Sequence, residues 1–380
     1  MTEKPRVAIL VNSSRTGVLA PRAVAFSHGL TPDFRVEVLW RDSARLPAIL
    51  SFLGKLRQFR PDLLYAIDLG YPVLLACILY RAITSCALVI ETGDPLAELL
   101  WAAGRVGRLG RSAIRKYEQA ALTRADHVVV RGSGLREYLI GLGVTRVAVV
   151  PDGVDTRVFH PMEVADLRRA LGMEGSVSIG VMGTLNWSKR LQWGYGCELI
   201  EALVLLKELP VCGVVLGDGP GRNVLERKAV EGGVGDRIRF LGRISQESLP
   251  SYINAIDICL STQTNDWIGR ARTTAKLPLF LACGRFVLAS RVGEAARVLP
   301  DEMLVDYGEG FDPSYPERLA ERIGHLVRQP QLLRLREHSR RIAESEFNYS
   351  FLVPKVAEVL RSVVRRRLVA GKKNTRGELG

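Results

Sequence analysis

The feature that most constrains this chain is a regular alternation between short, β-branched apolar runs and longer amphipathic stretches. Continuous apolar runs are typical of parallel strands buried on both faces, and the amphipathic stretches are typical of the helices that join such strands. Because the alternation stops and restarts once, it predicts two doubly wound α/β domains. The predicted strands are Arg6–Val11, Arg35–Trp40, Leu63–Ile67, Ala87–Ile90, His127–Val130 and Val147–Val150, then Ser178–Met182, Val211–Leu216, Ile238–Leu241, Ile258–Leu260, Phe286–Ala289 and Met303–Val305.

Chain length supports the same division, since 380 residues exceed one comfortable hydrophobic core. The turn Pro151–Gly153 and the nearby Pro161 indicate the join between the two domains. We expect an N-terminal domain over 1–165 and a second domain over 166–345. A terminal crossover helix and a basic tail are expected to follow over 346–380.

Cysteine usage and hydropathy limit the location of the protein. The six cysteines never form a CxxC pair, and Cys77, Cys212 and Cys259 lie inside apolar runs, as buried free thiols do. Neither they nor the five histidines have the spacing of a metal site. The stretch Tyr71–Tyr80 falls well short of the roughly 20 residues of a membrane span. The sequence predicts a cytoplasmic protein that is soluble or peripheral on the inner face of the membrane.

The net charge of +13 is concentrated in two places, the segment 105–116 and the C-terminal tail. No aromatic residues interleave with these cations, which disfavours nucleic acid as a partner. Two interpretations stay open: a solvated helix face with a frayed end, or docking on an anionic membrane. The cations are Arg105, Arg108, Arg111, Arg115 and Lys116, then Arg361, Arg365, Arg366, Arg367, Lys372 and Lys373.

Ligands of open parallel sheets bind where strands end at their carboxyl side. In the second domain Gly183–Lys189 follows the first strand and precedes a predicted helix, and its glycine and cation suit a phosphate. Taken alone, the segment fits a plain turn with a surface lysine better. Gly217–Gly221 and Gly242–Ile244 follow the next two strands. The most basic loop, Asn265–Lys276, combines three cations and two hydroxyls ahead of the apolar helix Leu277–Cys283, a combination that suits a diphosphate.

The strand ends of the first domain carry carboxylates and small polar residues. Glu91 and Asp94 follow the fourth strand, where they can bind hydroxyls or act as a base. Asp94 can equally cap a helix, because Pro95 follows it. The candidate residues at the strand ends of this domain, which the family resemblance described next places on the acceptor side, are Asn12, Ser13, Gly17, Glu91, Arg131 and Ser133.

The order and spacing of these loops resemble the family-4 retaining glycosyltransferases of the GT-B fold. The resemblance lies in VAVVPDGVDTRVFHP, VMGTLNWSK, VVLGDGPGRNVLE and RIRFLGRISQESLPSYINAIDICLS, and it is strongest from Tyr117 to Ser290. It implies two Rossmann-like domains that face across a cleft, with the acceptor on the first and a nucleotide-sugar donor on the second. It also implies sugar transfer with retention of anomeric configuration, to an acceptor that is lipid-linked or a small molecule, with neither metal nor cofactor.

Position by position, Lys189 matches the family's lysine that grips the donor diphosphate, and Gly242–Ile244 matches the loop whose backbone reads the nucleobase. Gly153–Asp155 matches the interdomain motif, and the region of Tyr349 matches the start of the crossover helix. The expected catalytic groups are Lys189, Arg270, Arg272, Lys276 and Asp94. The expected donor-binding residues are Gly183, Thr184, Gly217, Asp218, Gly242, Arg243, Ile244, Thr273, Thr274 and Glu294.

The chain departs from the family at three positions. Thr184 stands where an arginine is expected, and the family's two glutamates fall on Ala271 and Leu279. The second of those glutamates normally holds the ribose, so we expect Glu294 to replace it in part. We expect Lys276, with Arg270 and Arg272, to compensate for the arginine. The departures leave two other classes open: a catalytically degenerate nucleotide-sugar-binding protein and a nucleotide-sugar epimerase.

Overall fold

A computed structural model describes residues 3–102, 104–334 and 336–377, with the side chains of 334, 336 and 368–377 excepted. The tail cations Lys372 and Lys373 therefore lie outside the described side chains. The chain divides into two compact units, of which the first comprises residues 1–153, 271–273 and 349–380 and the second residues 154–270 and 274–348. The first break between the units lies directly after Gly153, and the domain boundary at 165 stays a prediction.

The first unit is built on a six-stranded parallel sheet in the order β2-β1-β3-β4-β5-β6. Val7 of β1 pairs with Val36 of β2 on one side and with Leu63 of β3 on the other, so the strand order reverses between β1 and β3. Its elements are β1 (Arg6–Val11), α1 (Ala20–Leu30), β2 (Arg35–Trp40), α2 (Arg45–Phe59), β3 (Leu63–Ile67), α3 (Tyr71–Ala82), β4 (Ala87–Thr92), α4 (Leu96–Ala102), α5 (Arg108–Arg124), β5 (His127–Val130), α6 (Ser133–Gly141) and β6 (Val147–Val149).

The second unit repeats this architecture, with a parallel sheet in the order β11-β10-β7-β12-β13-β14 that reverses between β7 and β12. The elements from residue 154 onward are α7 (Ala165–Ala170), β7 (Val177–Met182), β8 (Trp187–Ser188), β9 (Trp193–Gly194), α8 (Cys197–Leu205), β10 (Val211–Leu216), α9 (Arg222–Glu231), β11 (Ile238–Gly242), α10 (Leu249–Asn254), β12 (Ile258–Ser261), α11 (Trp267–Ala271), α12 (Lys276–Ala282), β13 (Phe286–Ser290), α13 (Gly293–Val298), β14 (Leu304–Val305), α14 (Tyr315–Arg328) and α15 (Arg336–Ile342).

The terminal helix α16 (Tyr349–Gly377) belongs to the first unit and packs on α1. Leu352, Val356 and Leu360 are fully buried in the core of that unit, and their spacing of four residues places them on one helix face. The helix is thus held on the first unit by an apolar stripe.

The two predicted series of strands are confirmed, with bounds that shift by one or two residues. All six cysteines are buried free thiols. Among the residues described, no helix has the length and apolarity to cross a bilayer. One local prediction is wrong: the loop after β7 does not lead straight into a helix, because the antiparallel hairpin β8–β9 intervenes before α8.

Candidate functional site

The loops that end β7 and β10 pack directly on each other because both turn at glycine. Gly183 and Gly217 have φ angles of 150° and 138°, and a Cβ on Gly217 would lie 1.9 Å from the Gly183 carbonyl oxygen. Gly183 N–H donates to Leu216 O at 2.9 Å, and Gly217 N–H donates to Gly242 O at 2.7 Å. These contacts bring the three predicted donor loops together at one edge of the second sheet.

Lys276 begins α12 and places its ammonium against the first of these loops. Its Nζ lies 3.7 Å from the centroid of the Tyr195 ring, and a Cβ on Gly183 would lie 3.8 Å from that Nζ. Tyr195 donates through its hydroxyl to Met182 O at 3.2 Å, which fixes the ring on the end of β7. A cation–π contact therefore holds one positive charge where the strand order of this sheet reverses, the place where such folds bind ligands.

Glu198, in the first turn of α8, adds a buried carboxylate to the same region. Its Oε2 accepts from Gly196 N–H at 3.0 Å, and the carboxylate also has a side-chain hydrogen bond with Thr262. Burial raises the pKa of Glu198, while the backbone amides and the charge of Lys276 favour the ionised form. The sequence does not reveal this residue as a site candidate, since nothing in its local pattern distinguishes it from a surface helix glutamate.

Two buried hydroxyls lie beside Glu198. Thr262 has a side-chain hydrogen bond with Glu198 and another with the Tyr315 hydroxyl. The Tyr315 ring lies 4.7 Å, centroid to centroid, from Tyr307, and burial together with the Glu198 charge raises the pKa of Tyr307 to about 12. Glu198, Thr262 and Tyr315 therefore form one buried polar cluster, as expected for polar side chains that are removed from water.

The cations of the loop before α12 do not converge on one point. Arg270 Nε donates to Asn265 Oδ1 at 2.8 Å, and the Arg270 carbonyl packs on Gly293, where a Cβ would lie 3.1 Å away. Arg272 Nε donates to Asp94 Oδ1 at 2.7 Å, both residues being part of the first unit. The structure therefore places Lys276, and neither Arg270 nor Arg272, beside Gly183.

The hydroxyls of this loop diverge in the same way. Thr273 Oγ1 donates to Asp152 Oδ2 at 2.8 Å, within the first unit. Thr274 Oγ1 lies 3.3 Å from Ser261 Oγ at the end of β12. Thr274 thus lies at the strand ends of the second unit, with Gly183, and Thr273 does not.

Lys189 follows the Gly183 turn and lies on the surface. It occupies the turn of the hairpin β8–β9, where its side chain is exposed and its carbonyl accepts from Gln192 Nε2 at 2.7 Å. Thr184 and Arg243 are also exposed, whereas Ile244 packs against the core of the second unit. Their proposed contacts with a donor stay predictions.

The positions that depart from the family pattern are largely filled by core packing. Ala271 is fully buried, and Leu279 packs against the apolar core of the second unit. Glu294, in the first turn of α13, is buried, and its Oε2 accepts from Arg297 Nε at 2.9 Å. A carboxylate that faced bulk solvent would have excluded Glu294 from a pocket. The Glu294 carboxylate is buried, so its proposed place in the donor site stays a prediction.

In the first unit, Glu91 is the centre of a buried ionic network at the end of β4. Its carboxylate accepts from Arg22 Nε at 2.7 Å, from Arg131 Nε at 3.1 Å and from the Tyr65 hydroxyl. Burial opposes ionisation, but the two guanidinium groups keep the pKa of Glu91 below its usual range. Glu91 has no exposed surface, so the expectation that it meets an acceptor directly needs correction: its contacts are with these side chains.

Arg131 extends the network toward the sheet edge, where its Nη1 lies 3.4 Å from Asp152 Oδ1. Asp68, which follows β3, has a φ of 81° and is partly exposed, and burial raises the pKa of its carboxyl. A non-glycine residue in this left-handed conformation is uncommon and concentrates at functional sites. Asp68 lies where the strand order reverses between β1 and β3. It is therefore an additional acceptor-side candidate, one that the sequence analysis missed.

The remaining acceptor-side residues lie at the ends of β1 and β5. Asn12 packs so closely on Gly70 that a Cβ there would lie 1.9 Å from Asn12 Nδ2, and Asn12 Oδ1 is buried with no partner among the described residues. Gly17 N–H donates to Ser14 O at 3.0 Å in the turn that contains Ser13. Ser133 begins α6.

Asp94 does not cap α4. The free amides of Leu96 and Ala97 donate to the two oxygens of Glu118 at 2.7 and 2.9 Å, so Glu118 is the cap. The Asp94 carboxylate binds Arg272 instead. The capping interpretation of Asp94 is therefore wrong, and the polar interpretation stays open.

Two family models match this chain, "Glycosyltransferase Family 4" over residues 10–158 and "Glycosyl transferases group 1" over residues 176–329. A GDP-mannose-dependent alpha-(1-6)-phosphatidylinositol dimannoside mannosyltransferase from Mycobacterium tuberculosis is 29% identical over 244 residues. That match covers 62% of this chain and 59% of the relative, so the chain spans about three-fifths of the relative's length.

Two solved structures share the architecture over nearly the whole chain. Sucrose-phosphate synthase from Thermosynechococcus elongatus has a TM-score of 0.74 at 18% identity and covers 96% of this chain and 100% of its own. Anabaena HepE in complex with UDP-glucose has a TM-score of 0.72 at 18% identity and covers 94% and 99%. At such identities the likeness establishes the fold.

Proposed function

Because this chain belongs to the family-4 glycosyltransferases of the GT-B fold, we propose that it transfers a sugar, with retention of anomeric configuration, from a nucleoside diphosphate sugar to a lipid-linked or small-molecule acceptor. The observation that carries the donor class is the Lys276 ammonium beside the Gly183 turn, where the strand order of the second sheet reverses. The relative described as GDP-mannose-dependent and the HepE complex with UDP-glucose support the same class of donor.

In this proposal the second unit stabilises the leaving group. Negative charge develops on the diphosphate as the bond to the sugar breaks, and a fixed cation in a preorganised site lowers that barrier. Lys276 provides this charge, and the backbone at Gly183 and Gly217 allows a phosphate to approach closely because neither residue has a side chain. Glu198 positions Lys276 from its buried place in α8. Cations carry the stabilising charge in this scheme, so it requires no metal.

The first unit binds the acceptor or the sugar in transfer. Arg131, Asp68 and Asp94 offer a guanidinium and two carboxylates at the strand ends of its sheet. Glu91 acts on such ligands through Arg131, whose guanidinium it holds at 3.1 Å. Because both ion-pair partners are almost completely buried, the position of Arg131 is defined before any ligand binds.

The ribose contact is assigned to Glu294. Leu279 cannot accept a hydrogen bond, and a ribose without its acceptor loses affinity. We expect Glu294→Gln to weaken donor binding about tenfold, measured by calorimetry with the nucleoside diphosphate. Glu174→Gln, whose exposed carboxylate lies 3.2 Å from Arg169 Nε, is the matched control. Equal affinities for Glu294→Gln and the parent protein would remove Glu294 from the site.

The donor class is tested by a thermal-shift screen of nucleoside diphosphate sugars, with calorimetry on those that stabilise the protein. A ligand that binds only the native state stabilises it in proportion to ln(1 + L/Kd), where L is the free ligand concentration. We expect stabilisation by at least one nucleoside diphosphate and its sugar, and weaker stabilisation by the corresponding monophosphate. No stabilisation by any member of a complete panel would contradict the proposed donor class.

The basic segment 105–116 is the basis for a proposed attachment to the inner membrane face. Arg111 and Arg115 pair with Glu98 of α4, while Arg105, Arg108 and Lys116 are exposed. Each basic residue near an anionic surface contributes about 1 kcal/mol, so the double variant Arg105→Ser/Arg108→Ser should lose roughly 30-fold in binding to anionic vesicles at low salt.

The matched control for this prediction removes two exposed cations from the second unit, Lys207→Ser/Arg227→Ser. We expect the control to float with phosphatidylglycerol vesicles as the parent does. If both double variants lose binding equally, net charge and not this segment governs attachment. If the parent protein binds neutral and anionic vesicles alike, the electrostatic proposal fails.

A further inference from the structure

The exposed side of α3 consists of apolar residues. Leu75, Ile78, Leu79 and Ala82 are exposed, with Leu75, Ile78 and Leu79 between 39% and 45% accessible, and Tyr71 one turn earlier is exposed to a similar extent. Their spacing of three and four residues places them on a single face of the helix. Surface helices of this kind usually turn charged residues to solvent, so a helix with this face requires a covering partner.

The apolar surface continues on the neighbouring helix α2. Leu46 and Leu50 are 71% and 74% exposed, one turn apart. The helices α2 and α3 pack side by side, and the Arg45 guanidinium lies 5.8 Å from the centroid of the Tyr71 ring. We call the exposed apolar residues of these two neighbouring helices the α2–α3 face: Leu46, Leu50, Tyr71, Leu75, Ile78, Leu79 and Ala82.

A groove of about 540 Å³ runs between α3 and α5 beside this face. Its walls are apolar or small, with Ile78 and Ala82 on α3, Ala120 on α5 and Ile90 of β4 at its base. The alanines leave a gap that larger residues would fill. Tyr117 also lines the groove, and its hydroxyl is buried and has no hydrogen-bond partner among the described residues. A volume of this size is within the range of small-molecule sites, and its lining suits hydrocarbon.

Cations border the groove and the α2–α3 face. Arg81 and Arg124 line one end of the groove, where Arg81 Nη1 donates to Arg124 O at 3.0 Å and Arg81 pairs with Asp126. Arg45 borders the apolar patch on the α2 side. An apolar helix face bordered by arginines is the arrangement that binds in the interface of an anionic bilayer, since hydrocarbon meets the apolar residues and lipid phosphates meet the cations.

We propose that the α2–α3 face inserts into the interface of an anionic phospholipid bilayer, with one lipid acyl chain seated in the groove between α3 and α5. The inference rests on the proposed function in one respect. Of the two acceptor classes proposed above, membrane insertion favours the lipid-linked acceptor over the small molecule. It differs from the electrostatic attachment of segment 105–116 in that insertion of apolar residues resists salt.

The burial of all six native cysteines makes the proposal accessible to site-specific labelling. Ile78→Cys is labelled with an environment-sensitive fluorophore, and Val230→Cys on α9, an exposed apolar position of the second unit, is the matched control. With vesicles of 30% phosphatidylglycerol in phosphatidylcholine at 0.3 M salt, we expect the label at 78 to shift to the blue and to be quenched by lipids spin-labelled in mid-chain. We expect no change at 230.

Two further pairs of variants separate the face from the groove. Leu75→Asp/Leu79→Asp should reduce vesicle flotation at least tenfold, and Val230→Asp should not. Ala82→Leu and Ala120→Leu narrow the groove from opposite walls and should each reduce mid-chain quenching at position 78 while flotation persists. Unchanged quenching in both leucine variants, each shown by thermal unfolding to be folded, would overturn the acyl-chain assignment.

The outcome is independent of the donor site. Calorimetry with the nucleoside diphosphate that binds best should give the same affinity for the parent protein and for Leu75→Asp/Leu79→Asp. If the parent protein binds no nucleotide but inserts into vesicles, the proposed function is contradicted and the lipid inference is not. A concentration-dependent dimer that Leu75→Asp/Leu79→Asp abolishes, without vesicle binding by the parent protein, would show that a second copy covers the face and would overturn the proposal.

Discussion

Replacing Lys276 with alanine is expected to weaken binding of the nucleoside diphosphate between tenfold and a hundredfold. A hydrogen bond to a charged group contributes on the order of 1.5–3 kcal/mol, and about 1.4 kcal/mol corresponds to a factor of ten. Turnover should fall further, by about 10²–10³, because the charge on the diphosphate is larger in the transition state than in the bound donor. Calorimetry gives the first quantity, and release of the nucleoside diphosphate gives the second.

Lys189→Ala is the informative control for Lys276→Ala. The family resemblance assigns the diphosphate contact to Lys189, but the structure places that side chain in an exposed hairpin turn and places Lys276 beside Gly183. We expect Lys189→Ala to retain most of the nucleotide affinity. If Lys189→Ala loses affinity and Lys276→Ala does not, the resemblance is right and the assignment from geometry is wrong.

Glu91→Gln is expected to destabilise the protein by about 3–5 kcal/mol. Removing one member of a buried ion pair leaves its partners with uncompensated charge, and Arg22 and Arg131 are both almost completely buried. The low folded-state pKa of Glu91 fixes the sign of the pH effect. Its contribution is present above the unfolded pKa of about 4.3 and is lost as the pH falls through the folded value.

Urea unfolding of the parent protein and the variant, measured at pH 7 and near pH 4, tests this prediction. The control is Asp42→Asn, whose carboxylate lies 3.5 Å from Lys55 on the surface and should contribute less than about 1 kcal/mol. We expect the difference between Glu91→Gln and the parent protein to shrink at the lower pH. Equal stability of the two proteins at pH 7 would show that the Glu91 network does not hold the first sheet together.

Most strands and helices could be predicted because the residues of each element are sufficient to identify it. A run such as Val211–Leu216 is apolar on both faces, and this is sufficient to identify a buried parallel strand. The hairpin β8–β9 escaped prediction because strands of two residues carry no periodicity. Nor does the sequence reveal that residues 271–273 group with the first unit, since that depends on contacts such as Arg272 with Asp94.

The candidate site could be predicted in part. Glycines at strand ends and the cation before α12 are visible as patterns, and Gly183, Gly217 and Lys276 are brought together as expected. Tyr195, Glu198 and Asp68 were missed because their significance lies in a cation–π contact, in burial and in a positive φ, none of which has a sequence signature. Glu91 was found, but its role was misjudged because three partners distant in sequence bury it.

The central claim, transfer of a sugar from a nucleoside diphosphate donor, is tested most directly by proton NMR of a complete reaction. The protein is incubated with the donor that binds best and with a cellular lipid extract or a panel of small-molecule acceptors. The account predicts loss of the donor's anomeric signal, release of an equal amount of nucleoside diphosphate and a new anomeric signal of the donor's configuration. A new sugar nucleotide without release would indicate an epimerase, a product of inverted configuration would refute retention, and tight donor binding without turnover under any condition would contradict the account in favour of a degenerate site.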